Sequence, residues 1–459
     1  MKTFLSVFKN KEIMSRIFFT IMILFIFRLG AAITIPGVTL SDDLTNEMSS
    51  TSALSLINLL GGGALTNVSI FALGVSPYIT SSIIIQLLSS DVLPALSELK
   101  RQGEQGRRKM EMATRYLTLL LGAVQAYGII MMMSNQGLIT LNDDSFWSYV
   151  YIVAVMLAGG MIVMYLGDQI TSKGLGNGIS VIIFAGIVVS LPQQIQLAFY
   201  EWVGSWGGNN AATNQILTGI FQFGVYILAF ILIIAFVVFI ELAKRKIPVQ
   251  NAGKGGGHNP RMSQASFLPI KVNASGVIPV IFASAILMVP SIIASFMGVT
   301  EDNATWLTIF NTSAWNPMPG IDGTTWYMCW GLILYIILII LFSFFYANMQ
   351  INPQQLAENF QKNGSYIPGI RPGNETERYV RKVVNRVTCI GAIALAFIAA
   401  LPNILTLTGV FGENTSLAIG GTGLIIVVGV ALEISNQIQG LLAGKSYEEV
   451  VASAGRRGF

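Results

Sequence analysis

Runs of apolar residues divide the chain more sharply than any motif does. Ten of them, near 17–35, 70–90, 113–133, 148–167, 178–199, 216–240, 273–297, 327–349, 384–404 and 418–436, are of spanning length. A helix needs about 20 mostly apolar residues to cross a hydrocarbon layer about 30 Å thick. The pattern inside the runs does not alternate: ALAFIAALPNIL and YILAFILIIAFVVFIELA are apolar on nearly every face. Membrane β-strands would instead show runs of about ten residues alternating between lipid and lumen. The reading is an all-α polytopic membrane protein with ten transmembrane helices. The first run follows Lys9, Lys11 and Arg16 and is long enough to span, so it reads as a retained first helix rather than a cleavable leader.

One region breaks the pattern. Ile57 to Leu88 reads INLLGGGALTNVSIFALGVSPYITSSIIIQLL, with Gly61, Gly62, Gly63, Asn67 and Pro77 inside it. Three consecutive glycines each cost about 0.8–1 kcal/mol relative to alanine within a helix. The expectation is a short helix and a glycine hinge, then a full span from Ile70 with Pro77 near its first third and Thr80, Ser81, Ser82 and Gln86 as polar members. Non-helical backbone at membrane depth survives only where protein buries it or water meets it. The break therefore points to a cavity.

Composition agrees with the runs and adds little: 53% of residues are hydrophobic, 11% are charged and the mean hydropathy is +0.64. Where the charges fall adds more. The N-terminal segment and every second loop after it hold 26 of the 27 basic residues, among them Lys100 to Arg115, Lys173, Lys244 to Lys271, Lys362 to Arg386 and Lys445 to Arg457. The alternate loops carry acids instead, including Asp42, Asp43, Asp143, Asp144, Glu301 and Glu413. By the positive-inside rule both termini are cytosolic. The remaining base, Arg28, lies inside the first span and needs a buried partner or a reach to the outer interface.

Ten spans with both ends on one side divide naturally near Ala211, giving halves 1–211 and 212–436 and a cytosolic tail 437–459. Five spans per half means that the halves enter the membrane from opposite faces, the arithmetic of an inverted repeat around a central pathway. Two cytosolic loops, about 241–272 and 350–383, are too long and too rich in Gly and Pro to be mere connectors.

Catalytic signatures are missing from the sequence. It holds no GxxxxGK[ST], HExxH or CxxC, its one histidine, His258, sits in a Gly-rich loop, and GNGIS around Ser180 is not GxSxG. Cys329 and Cys389 fall in separate apolar runs, where small buried thiols are the default. The chain therefore reads as neither an enzyme nor a carrier of cofactor or metal. Without a nucleophile and base or paired aspartates, an intramembrane protease is disfavoured. A secondary transporter and a channel stay open on these grounds, although only Arg28 and Glu433 lie within or at the edge of spans, fewer ionisable groups than a transporter is expected to use.

FRLGAAITIPG, GGALTNVSIFALGVSPYITSSIIIQLL, KRQGEQGRRK, GDQITSKGLGNGIS, SFLPIKVNASGVIPVIFASAI, KNGSYIPGIRPGNETERYV and GGTGLIIVVGVALE stand in an order and spacing that resembles the SecY family, the central subunits of the bacterial Sec protein translocation channel. The resemblance runs nearly end to end and departs in the outer loops, the tip Lys254 to His258 and the tail after Glu433. It implies a bacterial cytoplasmic-membrane protein that passes unfolded precursors across and releases hydrophobic segments sideways into membrane lipid. The partners it implies are SecE-like and SecG-like small subunits, the SecA motor ATPase, the ribosome, a membrane insertase and signal sequences.

Residue by residue, the resemblance makes about 56–67 a plug, from Leu56 through Asn58 and Leu65 to Asn67, with Gly61, Gly62 and Gly63 as its hinge. It makes Val75, Ile79, Ile183, Ile281 and Ile426 an apolar pore ring, with Val at the first position widening it slightly. A narrow apolar ring dewets and so resists ions. A lateral gate follows between spans 70–90 and 273–297, with Thr80, Gln86, Asn273, Ser275 and Ser284 as its polar groups. Arg371, Lys244, Arg245 and Lys271 would dock the motor or the ribosome.

Overall fold

The computed structural model describes residues 10–40, 61–89, 102–135, 137–141, 145–203, 213–251, 266–296, 305–312, 316–319, 325–407 and 420–456, with single positions Asn58, Leu96, Glu98 and Leu99. The helices are α1 (Lys11–Ala32), α2 (Ser76–Leu87), α3 (Glu104–Asn135), α4 (Phe146–Lys173), α5 (Gly178–Trp202), α6 (Thr213–Leu242), α7 (Ile278–Phe296), α8 (Thr305–Thr308), α9 (Trp330–Gln350), α10 (Pro353–Lys362), α11 (Asn374–Leu407) and α12 (Gly420–Arg456). Short strands connect them: β1 (Val38–Leu40), β2 (Ile139–Leu141), β3 (Lys244–Asn251), β4 (Ser266–Lys271), β5 (Asn316–Pro319), β6 (Thr325–Met328) and β7 (Ser365–Tyr366).

Among the described residues eight helices are long and apolar enough to cross a membrane. The apolar α7 and the twelve-residue α2 are shorter, and with them a helix stands at each of the ten apolar runs. The chain is a multi-pass membrane protein. Local sequence sets many of the helix ends. Asn10, Asn177 and Asn352 each accept a backbone N–H two residues on, supplying a partner that a helix start otherwise lacks. Pro353 takes the first position of α10, where its missing N–H costs nothing.

Three boundaries differ from the sequence reading. The span expected from Ile70 begins only at Ser76: Ile70 to Val75 form turns, Gly74 has φ +53°, and Pro77 sits in the first turn of α2 rather than a third of the way along. A proline favours that end position because further in its ring would clash with the preceding turn. The span expected from 273 begins at Ile278, since β4 and a turn occupy the residues before it. The boundary drawn at 437 falls within a helix, because α12 runs unbroken from Gly420 to Arg456.

One large apolar cluster fills the helical body. Its buried members come from both sequence halves, including Phe27, Ala64, Leu73, Ile130, Val163, Ile182, Ile240, Ala283, Ile339, Ala399 and Ile425. Outward faces are apolar as well: Phe221 and Phe239 on α6 and Ile390 and Ile393 on α11 are well exposed, as lipid-facing positions are. Cys389, expected to be buried in its span, is exposed on that outer face of α11, while Cys329 is buried at the start of α9.

A second, smaller core lies apart from the first. The two long loops join in a three-stranded sheet ordered β4-β3-β7, with Lys244 opposite Lys271 and Gln250 opposite Tyr366. Ile247, Ile270 and Ile367 of this sheet region pack with Val380, Val383, Val384 and Val387 of α11. Those valines repeat at i, i+3, i+4 and i+7, which puts one stripe of α11 on the sheet. Arg378, Arg381, Lys382 and Arg386 fall on the opposite, exposed face.

Candidate functional site

The glycine break is a built and largely buried structure. Gly62 and Gly63 have φ of +70° and +78°, conformations that L side chains rarely adopt. Gly62 also lies against Gly186 of α5 so closely that a Cβ on Gly186 would come within 2.1 Å of the Gly62 Cα. Phe27 of α1 closes the other side at 3.1 Å from where a Gly62 Cβ would stand. The Asn58 side chain accepts the N–H groups of Leu65 and Thr66 at 3.2 and 3.3 Å, and its carbonyl accepts Gly63 N–H at 2.8 Å. Further along, Ser69 donates to the Ala64 carbonyl, and the backbone N–H groups of Ile35 and Ile70 donate to the carbonyls of Val68 and Ile33. Backbone polar groups freed by the break thus find partners without lipid or solvent.

Arg28, in the apolar stretch of α1, donates to the Gly62 carbonyl at 3.1 Å. Its partner is the broken backbone itself. The sequence flagged Arg28 as needing a partner but held no signal for which one, and Gly186 in IIFAGIV passed as an ordinary small residue in an apolar helix. Of the residues assigned to the plug, Leu56 lies outside those described. Gly61, Gly62 and Leu65 are buried, Gly63 and Asn58 are half-buried, and Asn67 is exposed. Of the described positions, Asn58 is helical and 61–67 run through turns.

The five ring positions come from four elements. Val75 caps the start of α2 and its carbonyl accepts Ile79 N–H at 3.0 Å, so the two stack one turn apart. Ile183 lies in the second turn of α5, Ile281 in the first of α7 and Ile426 in the second of α12. Val75, Ile79, Ile183 and Ile426 are buried in the large cluster, and Ile281 is half-buried against it. Ala64, Leu65 and Val68 of the break lie in that same cluster.

Polar groups assigned to the seam between α2 and α7 are arranged otherwise than expected. Thr80 donates to Ser76 O and Ser284 to Ile281 O, each within its own helix. Asn273 and Ser275 precede α7: Asn273 donates to Glu241 of α6 at 2.9 Å and to Gly276 O at 3.1 Å, and Ser275 donates back to Asn273. Gln86, within α2, accepts from Tyr346 Oη of α9 at 3.0 Å. Tyr346, in FFYANMQ, was missed because an aromatic in an apolar run carries no sequence mark of a polar role.

Lys244, Arg245 and Arg371 are exposed and Lys271 is half-buried, all on the sheet unit. Arg371 sits in a turn held through its backbone: its N–H donates to Glu375 at 3.4 Å and its carbonyl accepts from Thr376 at 2.9 Å. The Lys254 to His258 tip lies outside the described residues. Among the described residues no three His, Cys, Asp or Glu side chains gather as a metal site would require.

The geometry is that of a helical multi-pass membrane protein whose buried, non-helical backbone lies beside a largely apolar interior of aliphatic and aromatic side chains. Comparison with known proteins supplies the family. Residues 69–435 match the SecY family model. The protein translocase subunit SecY of Staphylococcus epidermidis is 42% identical over 450 residues, covering 97% of this chain and 98% of the relative. That of Mycoplasma capricolum is 41% identical over 452 residues, covering 96% and 89%. The chain belongs to the SecY family. Among solved structures, a protein-conducting channel aligns with a TM-score of 0.64 at 18% identity, covering 93% of this chain and 91% of that one. Sec61 of a canine ribosome-channel complex aligns at 0.61, with the same identity and coverage. They share its fold.

Proposed function

We infer that this member of the SecY family is a protein translocase subunit that forms the conducting channel for unfolded polypeptides across a bacterial cytoplasmic membrane. The observation that supports it most directly is the buried glycine break, tied to α1 and α5 beside the ring aliphatics. Backbone that is neither helical nor exposed to lipid at this depth is tolerated around a pathway. In this reading both termini are cytosolic, 1–211 and 212–436 are inverted halves, and the segment around 56–67 is the plug. Val75, Ile79, Ile183, Ile281 and Ile426 part around a passing chain and close against ions by dewetting. No chemistry is performed on the substrate. Energy enters from a SecA-like motor or the ribosome docked near Arg371, Lys244, Arg245 and Lys271, and SecE-like and SecG-like subunits complete the assembly.

Release into lipid between α2 and α7 follows from partitioning. Leucine-rich helices gain about 0.3–0.6 kcal/mol per residue on entering lipid, while a central Arg or Lys costs about 2.5–3.5 kcal/mol. The test replaces Cys329 and Cys389, places a single cysteine at Val75 or Ile281, and stalls a precursor carrying one cysteine of its own midway. A disulfide that forms only with motor and ATP supports the pathway. Translocation without crosslinking would misplace the ring, and no translocation with any partner reopens the transporter reading.

A further inference from the structure

We propose that the hydrogen bond from Tyr346 to Gln86 is the latch of the lateral seam, so that Tyr346 of α9 sets how hydrophobic a signal segment must be to open it. The inference rests on the channel reading and assigns its threshold to a residue outside the two helices that flank the seam.

The geometry narrows the choice to this pair. Along α2 the hydroxyls of Thr80, Ser81 and Ser89 turn back onto carbonyls of their own helix region, at 3.1, 2.7 and 2.9 Å. Gln86 donates its amide to Ser82 Oγ at 2.9 Å, which fixes the side chain so that Oε1 faces away from α2 as an acceptor. Tyr346 Oη donates to that oxygen at 3.0 Å across 260 residues of sequence, from one half of the chain to the other. Tyr346 is itself only 4% exposed. Its ring meets Phe282 of α7 edge-on at 4.9 Å, and Phe282 in turn meets Phe342 of α9 at 6.1 Å. A single side chain thus touches both helices of the seam, one through a polar tip and the other through its ring. Separating α2 from α7 means breaking the bond, or dragging Tyr346 off Phe282, or both.

The physics makes this a threshold rather than a strut. Neighbouring helices gain little by leaving lipid, which is as apolar as their own side chains, so a buried hydrogen bond is a sizeable share of what holds two of them together. It is still weak enough for an inserting apolar helix to outbid. Removing the hydroxyl leaves the half-buried Gln86 Oε1 with one partner fewer in the closed state and changes nothing for the open one, so the equilibrium moves towards opening by about three- to tenfold.

The experiment uses inverted membrane vesicles from a bacterial host in which this chain is the sole channel subunit, with a normal precursor and one whose signal core has lost two leucines. Tyr346→Phe keeps the ring against Phe282 and removes only the hydroxyl. It is expected to raise translocation of the defective precursor about three- to tenfold per channel, with the normal precursor still transported. Gln86→Leu should do the same, and the double variant should add nothing further. Wild-type discrimination in Tyr346→Phe, with normal transport, would overturn the latch alone, as would independent effects that multiply in the double variant. If the wild-type chain passes neither precursor, the channel reading fails and the latch fails with it.

Discussion

The apolar cluster of the spans and the smaller one under the β4-β3-β7 sheet draw on similar side chains, Ile, Val and Leu, yet different terms hold them together. Under the sheet, burying Ile247, Ile270 and Val384 removes apolar surface from water, worth about 25 cal/mol per Å². Among the spans that term is nearly absent once the helices are in lipid, because an outward-facing Leu is already in an apolar medium. What remains there is close fit and hydrogen bonding: Gly186 against Gly62, Gly159 against the Ile70 carbonyl, Arg28 on Gly62 and Tyr346 on Gln86. One core should therefore be sensitive to added atoms and the other to deleted ones.

The largest expected effect tests the first half of that statement. Gly186→Val places a branched side chain where a Cβ already comes within 2.1 Å of the Gly62 Cα, and backbone on both sides leaves no flexible neighbour to yield. Overpacking typically costs about 1–3 kcal/mol, and a backbone clash belongs at or above the top of that range. Thermal unfolding in detergent should fall steeply, with ion leakage through channels that do assemble as the plug root is pushed out. Unchanged melting and an unchanged seal would remove close backbone fit as the organising term of the spans.

Deletion in the smaller core comes next. Ile247→Ala should cost about 2–4 kcal/mol by transfer and cavity terms, expressed as protease cleavage near β3 while the helical body stays resistant. If cleavage spreads through the spans at the same denaturant, the two cores are one cooperative unit and the comparison collapses.

Arg28→Met is intermediate. It removes a hydrogen bond from a charged donor to a backbone carbonyl, worth about 1.5–3 kcal/mol where fully realised, and relieves part of the cost of holding a cation in the span, so a net loss of about 1 kcal/mol is expected. Planar-bilayer conductance should show more frequent spontaneous openings. A seal as tight as that of the wild type would mean that Asn58 and the Gly62–Gly186 contact hold the root without help.

How much of this the sequence made legible follows the same division. Run length placed a helix at each of ten positions, because lipid thickness acts on stretches of sequence and not on partners. Glycine cost marked 61–63 as a break, though not that Gly186 would receive it. The helix expected from Ile70 failed on local chemistry that a hydropathy window ignores, namely Gly74 at positive φ and Pro77 suited to a first turn. Asn273 and Ser275 were placed within a span for the same reason, since the bends and turn at 272–277, between β4 and α7, adjoin the apolar run. The sheet joining the two long loops was out of reach: Gln250 opposite Tyr366 is a pairing that no local pattern encodes. Cross-element contacts, including Tyr346 with Gln86, were the part that only the fold supplies.

The smallest stability effect separates structure from docking within the sheet unit. The turn at Arg371 is held by its backbone N–H on Glu375 and its carbonyl under Thr376, while the side chain is exposed and makes no contribution to either bond. Arg371→Ala should therefore change the protease resistance of the unit by no more than about 0.5 kcal/mol, the range of surface substitutions away from caps and cores. Thr376→Val, which deletes the hydroxyl bond, should cost more, about 0.5–1.5 kcal/mol. If Arg371 serves the motor, its alanine variant loses motor-driven translocation while Thr376→Val retains it in proportion to the folded fraction. The reverse order, with transport tracking stability in both variants, would make Arg371 one more base obeying topology.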